Sequence, residues 1–196
     1  MRTASLTRTT GESRVELTID LDGSGRADID TGVGFYDHML HAFTRHGLFD
    51  LTVRAKGDLH VDVHHTVEDT AIVLGEALAE ALGDKTGVRR FASILLPLDE
   101  ALVEVALDLS GRPFCVYEIE FPADVIALGT PPFDPHMAEH FFQSFATAAQ
   151  MTLHVRLRSG RNTHHILEAC FKGVARCLRD AVRVEGGGVP STKGAL

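Results

Sequence analysis

Two pentads of the chain carry the same set of metal-competent side chains: His64-His65-Thr66-Val67-Glu68, and His164-His165-Ile166-Leu167-Glu168 one hundred residues later. Both have the pattern H-H-x-x-E. On a helix, residues i and i+4 share a face and i and i+3 are neighbours, so each pentad can bring imidazole and carboxylate onto about one turn. Such a turn is half of a metal site. Imidazole nitrogen with carboxylate oxygen suits borderline divalent ions such as Mn, Fe, Co or Zn, and the set lacks the thiolates of most structural zinc sites. The chemistry indicated is therefore catalytic. At a helix start the macrodipole repels a cation by about 0.3–1 kcal/mol, yet keeps histidine deprotonated. Coordination is about tenfold larger and should prevail.

The repetition extends upstream. Asp37-His38 precedes the first pentad and Glu139-His140 the second, with spacings between the histidines of 26 and 24 residues. Earlier still, Val15–Gly23 aligns with Val103–Gly111 at an offset of 88. Three matches in one order indicate a duplicated half-domain, at a period far above that of solenoids or propellers. Eight donors result: His38, His64, His65, Glu68, His140, His164, His165 and Glu168, enough for two ions with four ligands each. Whether the halves meet within one chain or need a neighbouring subunit is open at this point.

The elements that must position these residues follow from periodicity. Val15–Leu21 and Arg26–Asp30 alternate around Asp22-Gly23-Ser24-Gly25 and suggest a hairpin. Phe35, Met39, Leu40 and Phe43 recur at helical spacing until His46-Gly47. Residues 48–55 look like a strand, 56–58 a turn, 59–63 another strand, and a long amphipathic helix runs from His64 to Gly83. The second half gives strand over 93–109, its partner over 113–121, an irregular loop at 122–135 holding four of the seven prolines, a helix over 137–149, a strand over 151–157 and a closing helix over 164–182. The expected fold is α+β, an internally duplicated half-domain with two similar β-sheets each covered by helices. One domain would span 1–196, as repeats of about 1–90 and 91–184 plus a Gly-rich tail, 185–196.

With 196 residues, 44% hydrophobic and 23% charged, the chain can bury a proper core. A net charge of −8 without a basic stripe argues against nucleic acid as a partner, although local Arg and Lys could bind a small phosphate. Three cysteines, Cys115, Cys170 and Cys177, form no C-x-x-C pair and suit a reducing compartment as small core residues. The polar N-terminus has no signal-like apolar region and no run of about 18 apolar residues exists, so no membrane association and a cytoplasmic location are expected.

The strings GVGFYDHML, HHTVEDTAIVLGEAL, PLDEALVEVALDLSGRPF, EHFFQSF, NTHHILEACFKGVARCLRDAV and GVPSTKGAL, in this order over nearly the whole chain, resemble the imidazoleglycerol-phosphate dehydratase family of histidine biosynthesis. The resemblance implies a duplicated α+β fold, two Mn2+ ions per active site, and a twenty-four-subunit homo-oligomeric cage with sites between subunits. It also implies a one-domain enzyme without the phosphatase fused in some relatives. The implied reaction is dehydration of a small-molecule phosphate, imidazole glycerol phosphate, to imidazole acetol phosphate. A metal-stabilised imidazolate would let the hydroxyl leave through a diazafulvene-like species.

By the same resemblance Glu12, the acid of R-x-T-x-E, is the preferred base and touches substrate; its repeat counterpart is Glu100. His46 or a metal-bound water could share the role, while His46 and His154 could equally be supporting residues. Phosphate would be taken by Arg90, Arg112, Lys172, Ser191 and Lys193, with the tail ordering around it. Another dinuclear enzyme, such as a phosphoesterase, or a metal-storage cage are the competing classes.

Overall fold

The computed structural model describes residues 2–122 and 125–194. The first half runs β1 (Thr3–Thr9), β2 (Ser13–Asp20), β3 (Ala27–Asp30), α1 (Gly34–Gly47), β4 (Asp50–Gly57) and α2 (His64–Leu82). The second repeats that order: β5 (Phe91–Leu98), β6 (Ala101–Asp108), β7 (Phe114–Glu118), α3 (Met137–Ala148), β8 (Thr152–Ser159) and α4 (Thr163–Ala181). Two four-stranded sheets result, ordered β1-β2-β4-β3 and β5-β6-β8-β7. The duplicated α+β architecture expected from the sequence is what forms.

Strand pairing departs from the expected pattern. β3 does not fold back on β2; it lies parallel to β4, with Ala27 opposite Leu51. Both edges of β2 are already taken, by β1 and β4. The Asp22–Gly25 turn is instead drawn across to β4, where the Asp50 carboxylate accepts from the backbone N–H of Ser24 (2.7 Å) and Arg26 (3.0 Å). Likewise β7 pairs in parallel with β8 rather than with β6. Each half therefore contains a β-α-β crossover through α1 or α3. Residues 93–109 are two strands, not one, turned tightly at Asp99-Glu100 with Asp99 at φ 49°. No glycine announces that turn. Residues 59–63 alternate in sequence yet form a turn, closed by Val61 N–H to Asp58 O at 2.7 Å. β1 was hidden because an edge strand that buries only Ala4 needs no apolar face.

Helices α1 and α2 cover one face of the first sheet and α3 and α4 one face of the second; across the middle α1 packs on α4 and α2 on α3. Buried residues of both halves join in one core. Its centre is aromatic: Phe43 of α1 meets Phe145 of α3 edge-on at 6.0 Å, and Phe141 of α3 lies 4.8 Å from Phe171 of α4. Each such side chain contributes about 1.5–3 kcal/mol on burial, so the mutual placement of the halves rests on apolar packing. That packing places acid-His helices of one half against H-H-x-x-E helices of the other.

Candidate metal centres and phosphate pocket

Each H-H-x-x-E segment begins at an Asx residue two positions ahead of its first histidine. Asp62 Oδ1 accepts from His64 N at 2.7 Å, and Asn162 Oδ1 accepts from His164 N at 2.9 Å and His165 N at 3.3 Å. These bonds satisfy otherwise free first-turn N–H groups and set where the helix starts. The first His and the Glu, four apart, then face one way. In α4, His164 Nε2 lies 3.1 Å from Glu168 Oε2.

The partner helix supplies the third donor. His38 of α1 approaches Glu168 (Nε2 to Oε2 3.6 Å), and His140 of α3 approaches Glu68 (Nε2 to Oε1 3.2 Å). Two trios form, His38–His164–Glu168 and His64–Glu68–His140, each with one donor atom per residue within 4.8 Å of the others. The halves thus meet inside one chain. The trios fit a divalent cation: two nitrogens and one oxygen converge, and buried His140 Nε2, though 3.2 Å from Glu68 Oε1, is not aligned to hydrogen-bond with it. Burial tends to raise Glu168, but Lys172, whose Nζ is 2.7 Å away, and the two histidines hold it below the usual carboxylate range.

Six of the eight expected donors are therefore brought together. His65 and His165 join neither trio. His65 Nδ1 lies 3.0 Å from Asp58, with Nε2 3.6 Å from Glu12; His165 Nδ1 lies 2.8 Å from Glu100, with Nε2 3.7 Å from Asp99. Asp58 and Glu100 make these imidazoles more basic than an ordinary histidine. Glu100, paired with His165 and accepting from Asn162 N and Arg161 N, is held down to about 2. The carboxylates Asp58 and Glu100 sit in turns beside the histidines and were not foreseen as their partners. The Asx residues at 62 and 162 repeat at the motif's own offset of one hundred, a signal present in the sequence.

Of the expected phosphate ligands, Arg90, Arg112, Ser191 and Lys193 line one cavity of about 660 Å³, together with Pro190 and the unforeseen Thr192. Arg90 grips Asp108 with two N–H groups (2.6 and 3.0 Å) and donates a third to Pro190 O at 2.7 Å, fastening the tail to the pocket. Arg112 is 68% exposed, with Nη1 donating to Ser110 O at 3.1 Å and Nη2 4.0 Å from Asp108. Lys172 is not in this cavity; it belongs to the α4 trio. His46 is pushed below the ordinary histidine value by burial and by nearby Lys172 and Arg176. His154 alternates with buried Leu153 and Val155, which puts it on the sheet face opposite the helices.

A family model described as imidazoleglycerol-phosphate dehydratase matches residues 31–178. The chain belongs to the imidazoleglycerol-phosphate dehydratase family. It is 56% identical to the imidazoleglycerol-phosphate dehydratase of Xanthobacter autotrophicus, covering 100% of this chain and 99% of that protein. The Methylorubrum extorquens imidazoleglycerol-phosphate dehydratase is 55% identical, with full coverage of both, 100% and 100%. Among solved structures, the imidazoleglycerol-phosphate dehydratase of Staphylococcus aureus superposes with a TM-score of 0.82 at 36% identity, over 93% of this chain and 99% of that one. The Pyrococcus furiosus structure, in complex with (S)-C348, gives 0.80 at 36% identity, over 97% and 100%. Imidazoleglycerol-phosphate dehydratases are hydro-lyases, and both trios and two of the six cavity residues, Arg90 and Arg112, lie within the matched span.

Proposed function

We propose that the chain is a divalent-metal-dependent dehydratase of histidine biosynthesis, removing water from imidazole glycerol phosphate to give imidazole acetol phosphate. The observation that carries this reading is the pair of His-His-Glu trios, each built across the two halves with its donors within 4.8 Å. Three donors leave coordination positions free for substrate and further ligands, as a catalytic centre requires. We assign the ions as manganese, two per active site, held by the trios and completed by His65 and His165 of neighbouring copies in a twenty-four-subunit homo-oligomer. Ions held by these residues would supply Lewis acidity toward the substrate's imidazole.

The remaining work falls to the chain's own groups. Glu12 is 56% exposed and presents its carboxylate beside His65, where it is free to take a carbon-bound proton. His46, its pKa lowered by burial and by nearby Lys172 and Arg176, is a second proton acceptor. Arg112, Lys193 and Ser191 bind the phosphate, while Asp108 holds Arg90 in place so that its remaining donors stay aimed at the pocket. The catalytic unit is one domain of two repeats, 1–90 and 91–184, with a substrate-ordered tail at 185–196, of which 195 and 196 lie outside the described residues. We assign it to the cytoplasm; among the described residues no helix is long and apolar enough to cross a membrane.

The test is incubation of manganese-loaded protein with imidazole glycerol phosphate. Alkali-developed enol absorbance without release of inorganic phosphate is expected, and Glu12→Gln should lower kcat by about 10²–10⁴-fold. Fully metallated protein that yields no enol, or that liberates phosphate, overturns the assignment.

A further inference from the structure

The R-x-T-x-E segment that carries Glu12 is tied to the metal-bearing helix through a residue with no role so far, Asp69. It follows Glu68 in α2 and is 6% exposed. Its carboxylate accepts from Arg8 Nε at 2.8 Å, from Thr10 Oγ1 at 3.3 Å and from Ser13 Oγ. Thr10 Oγ1 in turn accepts from the backbone N–H of Glu12 (3.2 Å) and Ser13 (3.0 Å). One hydroxyl thus turns its proton toward Asp69, with Ser13 O a longer alternative at 3.5 Å, and both lone pairs toward the turn. The spacing of the segment has a physical meaning: Arg8 and Thr10 are spent on Asp69, and Glu12, two further on, is presented to solvent.

The second half is built differently. Position 169, next to Glu168, is a fully buried alanine, and no carboxylate there reaches the β5–β6 turn. That turn is secured by Glu100 itself, whose oxygens are taken by His165, Arg161 N and Asn162 N. In one half the turn's glutamate is consumed in holding the turn. In the other, Asp69 holds the turn and leaves the glutamate exposed, with His65 Nε2 3.6 Å away.

We infer that Asp69 is a positioning residue for Glu12, clasping the Thr10–Ser13 turn so that the carboxylate is carried at a set distance from the ligands on α2. The inference rests on the reading of Glu12 as the proton acceptor. A displacement of the order of 1 Å in such a group costs about 10²-fold in rate, so loosening the clasp acts on kcat more than on substrate binding.

The test uses manganese-loaded, assembled protein with Asp69→Asn and the shape-preserving Thr10→Val. Each is expected to lower kcat by about 10- to 100-fold with KM changed less than about threefold. Manganese content should match the parent, and amide exchange over residues 9–14 should be faster. In a Glu12→Gln background neither substitution should lower kcat further. Parental kcat and exchange in Thr10→Val, or losses that multiply with Glu12→Gln, overturn the inference; if Asp69→Asn fails to fold, Thr10→Val decides alone. A fully active Glu12→Gln protein removes the base assignment itself, and exchange over 9–14 then decides the clasp: faster in Thr10→Val sustains it, unchanged refutes it.

Discussion

Asp50 is a single carboxylate that redirects a strand. It receives the N–H groups of Ser24 and Arg26 and the Arg26 guanidinium (Nε 2.8 Å), and the Arg26 side chain foremost, then the backbone donors, hold its pKa far below the usual carboxylate range. Because the folded value is depressed, its stabilisation is complete above the unfolded-chain value of about 4 and fades as pH falls below that. Asp50→Asn should therefore lower stability by about 1–2 kcal/mol at neutral pH, the exposed Arg26 end adding little. Urea midpoints of variant and parent should converge under acid; curves that stay parallel down to the acid limb would exclude this account. The same scale explains what the motif revealed and what it did not. Neighbouring helical residues point about 100° apart. His64 therefore turns toward α3 while His65 turns toward Asp58 in the preceding turn, and likewise His164 and His165. Spacing identified all eight donors by type, but only packing could show that six converge and two face other carboxylates.

At the scale of elements, helices α1 to α4 were legible because each lays an apolar stripe at helical period on a sheet and on a partner helix. Strand neighbours were not, since alternation says which face is buried and nothing about which edge is paired. The two parallel strands, β3 and β7, are the clearest instance: their partner comes only after an intervening helix. How closely α2 and α3 approach is likewise invisible in periodicity and is set at Gly75, where an added Cβ would meet Phe145 O and Ala148 Cβ, each at 2.6 Å. Backbone cannot yield as a side-chain tip can. Gly75→Ala should cost about 1–3 kcal/mol and push α3 outward. Since that pair carries His64, Glu68 and His140 while α1 and α4 carry the other trio, dialysed Gly75→Ala protein should keep about half the parent's manganese. Gly173→Ala, whose Cβ meets only the Val105 Cγ2 tip at 2.8 Å, should be milder. Equal loss from both trios, or none, would show that helix spacing does not govern this site.

At the scale of the molecule the duplication is uneven on its outer surfaces. The outward face of the second sheet exposes Phe91 (53%), Leu95 (58%) and Phe114 (63%), while that of the first carries Thr7, Glu16, Thr18 and Arg54. Exposed aromatics and leucine on one sheet face suit burial against another chain, whereas a net charge of −8 opposes association unless specific contacts offset it. In the proposed assembly His65 and His165 would be such contacts: each is oriented through Nδ1 by a carboxylate, the arrangement by which ligating histidines are commonly aimed, and among the described residues neither joins a trio. The double variant His65→Ala, His165→Ala should therefore retain its helices and a residual affinity of the trios for manganese, yet fail to reach the size of the metal-loaded parent. Light scattering after gel filtration, with and without manganese, reads the assembly, and metal analysis of the same fractions reads the sites. A double variant that forms the full-size particle with two ions per chain would mean that the trios close their coordination without a neighbour.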